Sequence, residues 1–389
     1  MKVVHVNTYC TGGAAKACRR IVGALIGSGT DAKMLVLYKT NDDHDTIDFR
    51  DEFSLVKNYR YKFTNKWFVI NHQNKFGNME ELFSSYQPVW KVEENSLVQN
   101  ADVVHLHWVS GFLNFPSFFK ANKKKVVVTM HDYFPFSGGA HYPNPLFEKE
   151  KFKTATKNNI ELLKSLYPKA NIHFVGPSQY IIDQFIKVMG SSFKTSVIKN
   201  PVDAKVFFKK DASELRSKLG LKQEDKVLMF INEKEGYKRK GCELLIQMLP
   251  EILKMGYKII LAGEKTKRIN DPSVIQIGYI HSDAELSLYY NASDLFVCTS
   301  LDDNLPNVIS ESHCCGTPVI AFATGGIPEM IEEGKDGFLI EKFDTKAYVN
   351  KLKEFLGMNF NRIEISTKAL SVYSSSTAAK KYNDIYLND

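Results

Sequence analysis

Short runs of consecutive apolar residues recur along this chain, and polar residues or glycine bound each run. Two examples are Asp102-Val-Val-His-Leu-His107 and Lys125-Val-Val-Val-Thr-Met130. A strand with one exposed face alternates apolar and polar residues, whereas a strand of a parallel sheet is covered by helices on both faces and is largely apolar throughout. The runs therefore predict parallel sheets with helices between successive strands.

The predicted strands form two sets that are separated near Asn200-Pro201. A residue that precedes proline is biased toward extended conformations, which makes this pair the best domain boundary in the sequence. The first set lies at 2–7, 34–38, 102–107, 125–130, 173–178 and 196–203, and the second at 226–231, 258–263, 274–278, 294–298, 318–322 and 337–340. Helices are expected between them, among them 14–26, 179–188, 241–253, 306–315, 326–332 and 344–356. Because a chain of 389 residues is too long for one ordinary core, we predict an α/β protein with doubly wound domains at 1–198 and 199–370 and a helical tail at 371–389.

Composition narrows the class of protein further. The chain is 44% hydrophobic and 24% charged, and it has no apolar stretch of about 18 residues that could span a membrane. Its N-terminus enters a strand pattern without the features of a signal peptide, and its six cysteines show neither Cys-x-x-Cys pairs nor zinc spacing. We therefore expect a cytoplasmic protein with reduced thiols. The net charge of +7 suits nucleotide phosphates or a membrane face as a partner, although such an excess is often just a solubilising surface.

A basic and aromatic segment occupies residues 53–75. It contains Lys57, Arg60, Lys62, Lys66 and Lys75 among Tyr59, Tyr61, Phe63, Trp67 and Phe68. Such a segment can lie peripherally on the inner membrane face or bind an anionic lipid carrier. The more common arrangement is a helix whose aromatic side chains pack on the core, and this is the one that we favour. No nucleic-acid-binding motif accompanies the segment, so nucleic acid is not expected as a partner.

Two candidate ligand sites lie at strand ends in the first half of the chain. Gly12 and Gly13 form a glycine turn between a strand and a helix, an arrangement that can bind phosphate, although the sequence is neither Gly-x-Gly-x-x-Gly nor a P-loop. His131 follows a strand at the edge where open α/β sheets bind ligands, and it precedes Gly138-Gly139, where backbone could approach a ligand closely. His105 and His107 are interpreted as structural.

A third candidate ligand site lies in the stretch from Ser300 to Ala321, where a loop, a helix and a strand are predicted. Pro306 suits the first position of a helix, and Gly316 suits the left-handed position after its last turn. The N-terminus of such a helix presents N–H groups to an anion, and Asp303 and Glu311 flank it. An ordinary strand-to-helix turn would show the same spacing.

Several motifs together resemble those of family 4 retaining glycosyltransferases. They are Asp303-Asn-Leu-Pro-Asn-Val-Ile-Ser-Glu311, Cys315-Gly-Thr-Pro-Val-Ile320, Gly325-Gly-Ile-Pro-Glu329, Gly12-Gly13, His131-Asp132, Pro177-Ser-Gln-Tyr180, Ile198-Lys-Asn-Pro-Val-Asp203, Lys240-Gly241 and Ala262-Gly-Glu264. The resemblance spans nearly the whole chain. It implies the GT-B architecture, in which two Rossmann-like domains face each other across a cleft, the second holds the donor nucleotide and the last helix returns to the first.

The resemblance also assigns donor-binding roles in the second domain. Glu311 matches the family's second glutamate, which holds the donor ribose, and a carboxylate suits a vicinal diol because it can accept two O–H bonds. Asp303 stands where the family usually has its first glutamate, beside the donor sugar. Further matches are Asn304, Leu305 and Pro306 beside the sugar and diphosphate, Lys240 at the diphosphate, and Tyr279 and Ile280 at the base.

Other assignments depart from the family or fall in the first domain. In the family, an arginine a few residues before the diphosphate lysine accompanies it. This arginine has no clear match here, and Arg239 and Lys234 are the candidates to replace it. His131 resembles the family's histidine near the reacting sugar. Asp302-Asp303 is not interpreted as a metal site, and we expect neither a metal nor a bound cofactor.

The implied reaction is transfer of a sugar, with retention at the anomeric carbon, from a nucleoside-diphosphate sugar to a hydroxyl of a glycan or a lipid-linked acceptor. Cell-surface polysaccharide synthesis is the expected context. Two other hypotheses stay open, namely a nucleotide-sugar epimerase or phosphorylase on the same plan, and a module that binds nucleotide sugars without catalysis. The sequence does not specify the donor or the acceptor.

Overall fold

A computed structural model of the chain describes residues 1–40, 43–76, 83–232 and 238–388. The chain divides into two compact units, of which unit 1 comprises Met1–Pro201 with Ser375–Asp389 and unit 2 comprises Val202–Ser374. Both changes of unit lie a few residues after the predicted boundaries at 198 and 370. The polypeptide therefore leaves unit 1 near Pro201 and returns to it for its last helix.

The strands form two sheets, one in each unit. They are β1 (Lys2–Tyr9), β2 (Asp31–Tyr38), β3 (Thr46–Asp48), β4 (Val103–Leu106), β5 (Lys125–Thr129), β6 (Ile172–Gly176), β7 (Lys194–Val197), β8 (Val227–Asn232), β9 (Lys258–Gly263), β10 (Val274–Gly278), β11 (Leu295–Cys298), β12 (Val319–Phe322) and β13 (Gly337–Ile340). The strand order is β3-β2-β1-β4-β5-β6-β7 in unit 1 and β10-β9-β8-β11-β12-β13 in unit 2, and neighbouring strands pair in parallel.

Helices connect most of the successive strands. They are α1 (Gly13–Gly27), α2 (Leu55–Phe76), α3 (Ser96–Asn100), α4 (Phe115–Ala121), α5 (Phe134–Ser137), α6 (Glu150–Leu166), α7 (Gln179–Met189), α8 (Ser213–Lys218), α9 (Cys242–Lys254), α10 (Asp283–Ala292), α11 (Asn307–Cys314), α12 (Thr345–Phe355), α13 (Arg362–Val372) and α14 (Ser375–Leu387). The helix predicted at 326–332 is only a single 3₁₀ turn at Ile327–Glu329, because the chain reaches β13 within a few residues.

Most of the continuous apolar runs are buried on both faces of their strands, as the sequence predicted, whereas the edge strands β7 and β10 are only partly buried. Every residue of β4, β11 and β12 is buried. In unit 1, side chains of β1 such as Val4 and Val6 belong to one core, while Val3 belongs to a second core on the opposite face that includes α1 and α14. The prediction of two doubly wound α/β domains is therefore confirmed.

None of the described helices is long and apolar enough to cross a membrane.

Candidate functional site

In unit 2, the loop after β11 is held by backbone contacts with the loop after β8. The N–H of Leu301 donates to the carbonyl of Arg239 at 2.7 Å, and the Thr299 hydroxyl donates to the carbonyls of Lys240 and Gly241 at 3.0 and 2.9 Å. Since β8 and β11 are neighbouring parallel strands, their carboxyl ends meet at one edge of the sheet. This edge brings together two sequence motifs that lie far apart along the chain.

Two glycines allow this close contact between loops. A Cβ on Gly241, where φ is +69°, would lie 1.9 Å from the carbonyl oxygen of Thr299. A Cβ on Gly325, where φ is +57°, would lie 1.9 Å from the carbonyl oxygen of Asp303. The N–H of Gly326 donates to that same oxygen at 3.0 Å. The loop that carries Asp303 is thus held from both sides, and only glycine fits at these two positions.

Asp303 is buried and lies beside two partly buried cations. The Lys240 ammonium donates to Asp303 Oδ2 at 2.7 Å, and Arg239 Nη1 lies 3.4 Å from the same oxygen. Arg239 also donates to the carbonyl of Asp302 at 2.8 Å. Burial by itself would raise the pKa of Asp303, but attraction to Lys240 and Arg239 outweighs it and holds that pKa below its usual value. The structure therefore brings together the predicted sugar-side carboxylate and the predicted diphosphate cations, whereas Lys234 lies outside the described residues.

Helix α11 begins one residue later than predicted. Pro306 occupies the N-cap with an extended conformation, at ψ 121°, so Asn307 is the first helical residue. Gly316 has a φ of +73° directly after the last turn, which confirms its predicted left-handed conformation. Glu311 lies within this helix and is buried, and Tyr290 of α10 donates its hydroxyl to Glu311 Oε2 at 3.3 Å. No sequence pattern pointed to Tyr290.

The other predicted donor-binding residues of unit 2 lie at the same edge of the sheet. Asn304 and Leu305 are buried between Asp303 and α11, and Leu305 packs in the core. Tyr279 and Ile280 follow β10, the outermost strand, which is separated from β8 by β9. The Tyr279 side chain is largely exposed, while Ile280 packs partly against the core.

In unit 1, the predicted glycine turn lies at the start of α1. Gly12 is the N-cap of this helix, with a φ of +92°, and Gly13 is the first helical residue. Both are exposed, and open space surrounds the position that a Cβ on Gly12 would occupy. Glycine is therefore required at position 12 by the backbone conformation and not by protein packing.

His131 lies just after β5 and is partly buried. Its Nε2 lies 2.9 Å from Nδ1 of His107, which follows the neighbouring strand β4. Burial lowers the pKa of His131 to about 4, so its imidazole is neutral at physiological pH. The structural interpretation of His107 agrees with its burial and with its contact to another ring.

Asp132 and His141 form a buried polar cluster beside His131. Asp132 Oδ2 accepts hydrogen bonds from Trp108 Nε1 at 2.7 Å and from His141 Nδ1 at 2.6 Å, and Oδ1 accepts from the N–H of Phe134 at 2.9 Å. Burial would raise the pKa of Asp132, but His141 and these donors lower it. The cluster fixes the turn that carries His131. Sequence analysis missed His141 because nothing near it in the chain identifies its partner.

The Gly138-Gly139 pair packs closely against other parts of unit 1. A Cβ on Gly138 would lie 2.5 Å from the carbonyl oxygen of Thr156, and a Cβ on Gly139 would lie 2.7 Å from the ring of Phe83. These glycines allow close approach of the protein to itself, and the expected approach to a ligand is not needed to explain them.

The preferred interpretation of segment 53–75 is also wrong for most of its length. Helix α2 has no buried residue, and the exposed fractions of Tyr59, Phe63 and Trp67 are 75%, 67% and 66%. Tyr61 is the exception, since its ring stacks between Phe53 and Trp90. Tyr59, Phe63 and Trp67 therefore lie on an exposed stripe, whereas Phe53 and Tyr61 pack against the core.

One group of side chains among the described residues is close enough to be considered as a metal site, namely His5, His105 and His107. Both ring nitrogens of His105 already have partners, the hydroxyls of Tyr386 at 2.6 Å and Thr129 at 2.8 Å. His5 Nδ1 and His107 Nε2 lie 2.9 Å apart in a hydrogen bond. These nitrogens are thus used within the protein, and the prediction that no metal is bound remains a prediction.

Comparison with sequence families matches most of the chain. The family described as Glycosyltransferase Family 4 matches residues 11–206, and the family described as Glycosyl transferases group 1 matches residues 225–357.

Individual relatives match more locally. Spore coat protein SA of Bacillus subtilis is 28% identical over 195 residues, which cover 43% of this chain and 51% of that protein. N-acetyl-alpha-D-glucosaminyl L-malate synthase of Bacillus anthracis is 27% identical over 191 residues, covering 46% and 49%. D-inositol 3-phosphate glycosyltransferase of Mycobacteroides abscessus is 23% identical over 284 residues, covering 64% and 63%. The chain thus spans about half to two thirds of the length of these relatives.

Solved structures resemble the whole chain. Sucrose-phosphate synthase from Thermosynechococcus elongatus has a TM-score of 0.70 at 15% identity, with 100% of this chain and 98% of that one covered. HepE of Anabaena in complex with UDP-glucose has a TM-score of 0.69 at 18% identity, with both chains covered fully. At such identities the likeness shows the fold.

Proposed function

Because the chain belongs to glycosyltransferase family 4 and has the GT-B fold, we propose that it is a retaining glycosyltransferase that uses a nucleoside-diphosphate sugar. The proposed acceptor is a hydroxyl of a glycan or a lipid-linked saccharide, and the proposed context is cell-surface polysaccharide synthesis. The observation that supports a donor site best is the cluster of Lys240, Arg239 and Asp303 at the edge of the sheet in unit 2.

The cluster has the charge that a nucleotide sugar needs. Without a ligand, Asp303 neutralises Lys240 at 2.7 Å. A bound diphosphate would compete with Asp303 for the lysine, and the carboxylate could then accept a hydrogen bond from a sugar hydroxyl. Lysine acts here as a point charge, which tolerates several diphosphate positions, whereas the planar fork of arginine favours fewer. The N-terminus of α11 adds backbone N–H groups nearby.

These groups would also stabilise charge during the reaction. When the bond to the anomeric carbon breaks, negative charge develops on the leaving diphosphate, and fixed cations and N–H groups stabilise that charge without reorganising. His131 and Gly12-Gly13 are proposed to act at the reacting sugar and the diphosphate, as the family resemblance implies. We assign no carboxylate as a covalent nucleophile, and we propose that no metal or cofactor participates.

Binding and transfer of nucleotide sugars test the proposal. A thermal-shift screen with UDP-, GDP- and ADP-sugars should find one class that stabilises the protein, since a ligand at about 100 times its Kd adds about 2.7 kcal/mol. UDP-glucose belongs in the panel because HepE was solved with it. Glu311→Gln should weaken donor binding by about 10- to 100-fold, since a hydrogen bond to a charged group contributes about 1.5–3 kcal/mol. Glu341→Gln, at an exposed position of the same unit, is the matched control.

The products of the reaction distinguish the alternatives. Release of a nucleoside diphosphate together with a glycosylated acceptor supports the transferase, and the anomeric configuration of that product tests retention. An isomerised nucleotide sugar would instead indicate an epimerase. Binding without any product across a panel of acceptors would indicate a module without catalysis. If no nucleotide sugar binds, the proposal is wrong.

We also propose that α2 places the enzyme on anionic lipid, where a lipid-linked acceptor would be found. The helix has 22 residues, and Val56, Tyr59, Phe63, Trp67 and Ile70 form its exposed apolar stripe. Its five basic residues are not balanced by any acidic residue within the helix. An amphipathic helix of this kind binds membranes through both buried apolar area and attraction to anionic lipid.

Vesicle flotation tests this surface directly. The full chain should bind vesicles that contain phosphatidylglycerol, bind phosphatidylcholine vesicles less well, and lose binding as salt increases. The Phe63→Ser, Trp67→Ser double variant should lose most of the binding, whereas Ile363→Ser, which removes an equally exposed side chain from unit 2, should not. Equal binding by the double variant and the native protein would contradict the proposal, whatever the outcome of the donor assays.

A further inference from the structure

Three imidazole rings form a hydrogen-bonded row across three neighbouring strands of unit 1. His5 lies in β1, His107 follows β4 and His131 follows β5, and these strands are adjacent in the sheet. His5 Nδ1 lies 2.9 Å from His107 Nε2, and His107 Nδ1 lies 2.9 Å from His131 Nε2. Both nitrogens of His107 are therefore used by the row. It leads from the interior of the sheet to the histidine that resembles the family's reacting-sugar residue.

A fourth histidine keeps the inner part of the row in place. His105 is the partner of His5 in the pairing of β4 with β1, and its ring lies 4.6 Å from that of His5 and 4.2 Å from that of His107. Thr129 and Tyr386 bind its two nitrogens. His105 therefore packs against the row but forms no hydrogen bond with it, because both of its ring nitrogens already have partners.

Burial keeps the rings of the row neutral. It lowers the pKa of His5 to about 3 and that of His131 to about 4, and it lowers the pKa of His107 well below the usual value. A neutral imidazole carries a proton on only one of its two nitrogens. His107 can therefore donate a hydrogen bond to only one of its two neighbours and must accept a hydrogen bond from the other.

Only two arrangements of the protons satisfy both hydrogen bonds. In the first, His5 Nδ1 donates to His107 Nε2, and His107 Nδ1 donates to His131 Nε2, so that His131 carries its proton on Nδ1. In the second, all donors are reversed, and His131 carries its proton on Nε2. The first leaves His5 Nε2 without a proton, and the second places a proton there.

The environment of His5 Nε2 decides between the two arrangements. His5 has an exposed fraction of 0%, and no described residue offers its Nε2 a hydrogen-bond partner. A buried N–H without an acceptor is rarer in proteins than a buried acceptor without a donor. The second arrangement would create such an N–H, whereas the first leaves only an unused lone pair. The first arrangement is therefore the more stable one.

We propose that His5 and His107 are positioning residues that hold His131 in the tautomer with its proton on Nδ1. His131 then presents an N–H to groups on its Nδ1 side, and it acts there as a hydrogen-bond donor and not as a base. The tautomer itself is a property of the protein without substrate. Its consequence, a hydrogen bond donated to an oxygen of the reacting sugar, rests on the proposed function.

Nuclear magnetic resonance of the imidazole nitrogens tests the tautomer in the whole protein. The full chain is labelled with ¹⁵N-histidine, and long-range nitrogen–proton correlations at neutral pH distinguish protonated from unprotonated ring nitrogens. The signals that disappear in His131→Gln identify His131. We expect a protonated Nδ1 and an unprotonated Nε2. An unprotonated Nδ1, or a doubly protonated ring, would overturn the proposal, and neither result depends on finding a substrate.

Two substitutions at His107 test whether the row sets the tautomer. His107→Asn can place an amide N–H near the position of Nδ1, so His131 should keep its proton on Nδ1. His107→Phe removes the donor, so the two tautomers of His131 should both be populated. A His131 signal that is the same in His107→Phe as in the native protein would show that His107 does not position it. Near-UV circular dichroism establishes that each variant is folded before its spectrum is used.

Discussion

At the level of single residues, glycines rather than charged side chains set the geometry of the proposed donor site. Asp303 meets Lys240 only because two loops approach each other as closely as backbones can, at Gly241 and Gly325. A side chain at either glycine would separate the loops. The charges would still be present, but they would no longer share one site.

Substitution of Gly325 tests this dependence. Gly325→Ala should destabilise unit 2 by about 3 kcal/mol or more, because a Cβ would overlap the Asp303 carbonyl and because the left-handed conformation itself costs about 1–2 kcal/mol. The free energy of unfolding is measured by urea denaturation. The control is Gly334→Ala, since Gly334 also has a left-handed φ but open space around it. Only the cost of the backbone conformation, about 1–2 kcal/mol, is expected there. Equal losses in both variants would contradict the steric argument.

Among the elements, α14 is the one whose position could not be foreseen from its own sequence. It packs on unit 1 although it follows the whole of unit 2, and Tyr382 and Tyr386 are buried in the core of unit 1. The Tyr386 hydroxyl lies 2.6 Å from His105 Nδ1, and the Tyr382 hydroxyl lies 3.1 Å from Thr129 Oγ1. The helix therefore completes the polar network beneath β4 and β5.

Removal of single hydroxyls from α14 should have unequal effects. Tyr386→Phe should cost about 1–3 kcal/mol, because it leaves the buried Nδ1 of His105 without its partner. Tyr382→Phe should cost less, because Thr129 keeps its hydrogen bond to His105. Thermal unfolding of the two variants, followed by tryptophan fluorescence, measures the difference. A smaller loss in Tyr386→Phe than in Tyr382→Phe would contradict this account.

For the molecule as a whole, the buried histidines are distributed unevenly between the units. In unit 1, burial lowers the pKa of His5 to about 3, those of His131 and His173 to about 4, and those of His105 and His107 well below the usual value. In unit 2, burial lowers the pKa of His313. Unit 1 should therefore be the more sensitive to acid.

The direction of this effect follows from proton binding. These histidines have lower pKa values in the folded state than in the unfolded state, so their stabilising contribution is complete above about pH 6.5 and is lost as the pH falls toward the folded values. When the pH is lowered from about 7 to about 5, each fully buried histidine should reduce the free energy of unfolding by about 2 kcal/mol. Asp132 also has a lowered pKa in the folded state, so its contribution changes with pH in the same direction, but it is lost only below about pH 4.

The sequence supplies a convenient reporter for this prediction. All three tryptophans, Trp67, Trp90 and Trp108, belong to unit 1. Tryptophan fluorescence therefore reports the unfolding of unit 1, and the release of unit 2 peptides by limited proteolysis in urea reports the unfolding of unit 2. As the pH is lowered, the urea midpoint from fluorescence should decrease more steeply than the urea midpoint from proteolysis. In His5→Phe the loss of stability between about pH 7 and about pH 5 should be smaller by about 2 kcal/mol. Equal acid sensitivity of the two units would contradict the prediction.

Local chemistry was sufficient to predict most of the elements. A continuous apolar run can only be stable when it is buried on both faces, and strands such as β9, β10 and β13 lie where the runs predicted them. Gly316 follows the last turn of α11 as predicted, and α7 begins at Gln179 as predicted, with Ser178 as its N-cap. Such residues act on the backbone within a few positions, so their effect can be recognised in the sequence. The motifs around Asp303 and Glu311 likewise identified the family from residues near one another in the chain.

Contacts between distant residues were decided only by the tertiary structure. The pairing of Asp303 with Lys240, the buried Asp132–His141 pair, the row from His5 to His131 and the exposed stripe of α2 all depend on which strands and helices become neighbours. The sequence alone determined that two parallel sheets form and which residue types lie at their edges. Which of those residues meet was decided by strand order and by loop approaches of a few ångströms, because hydrogen bonds and ion pairs act only over such distances.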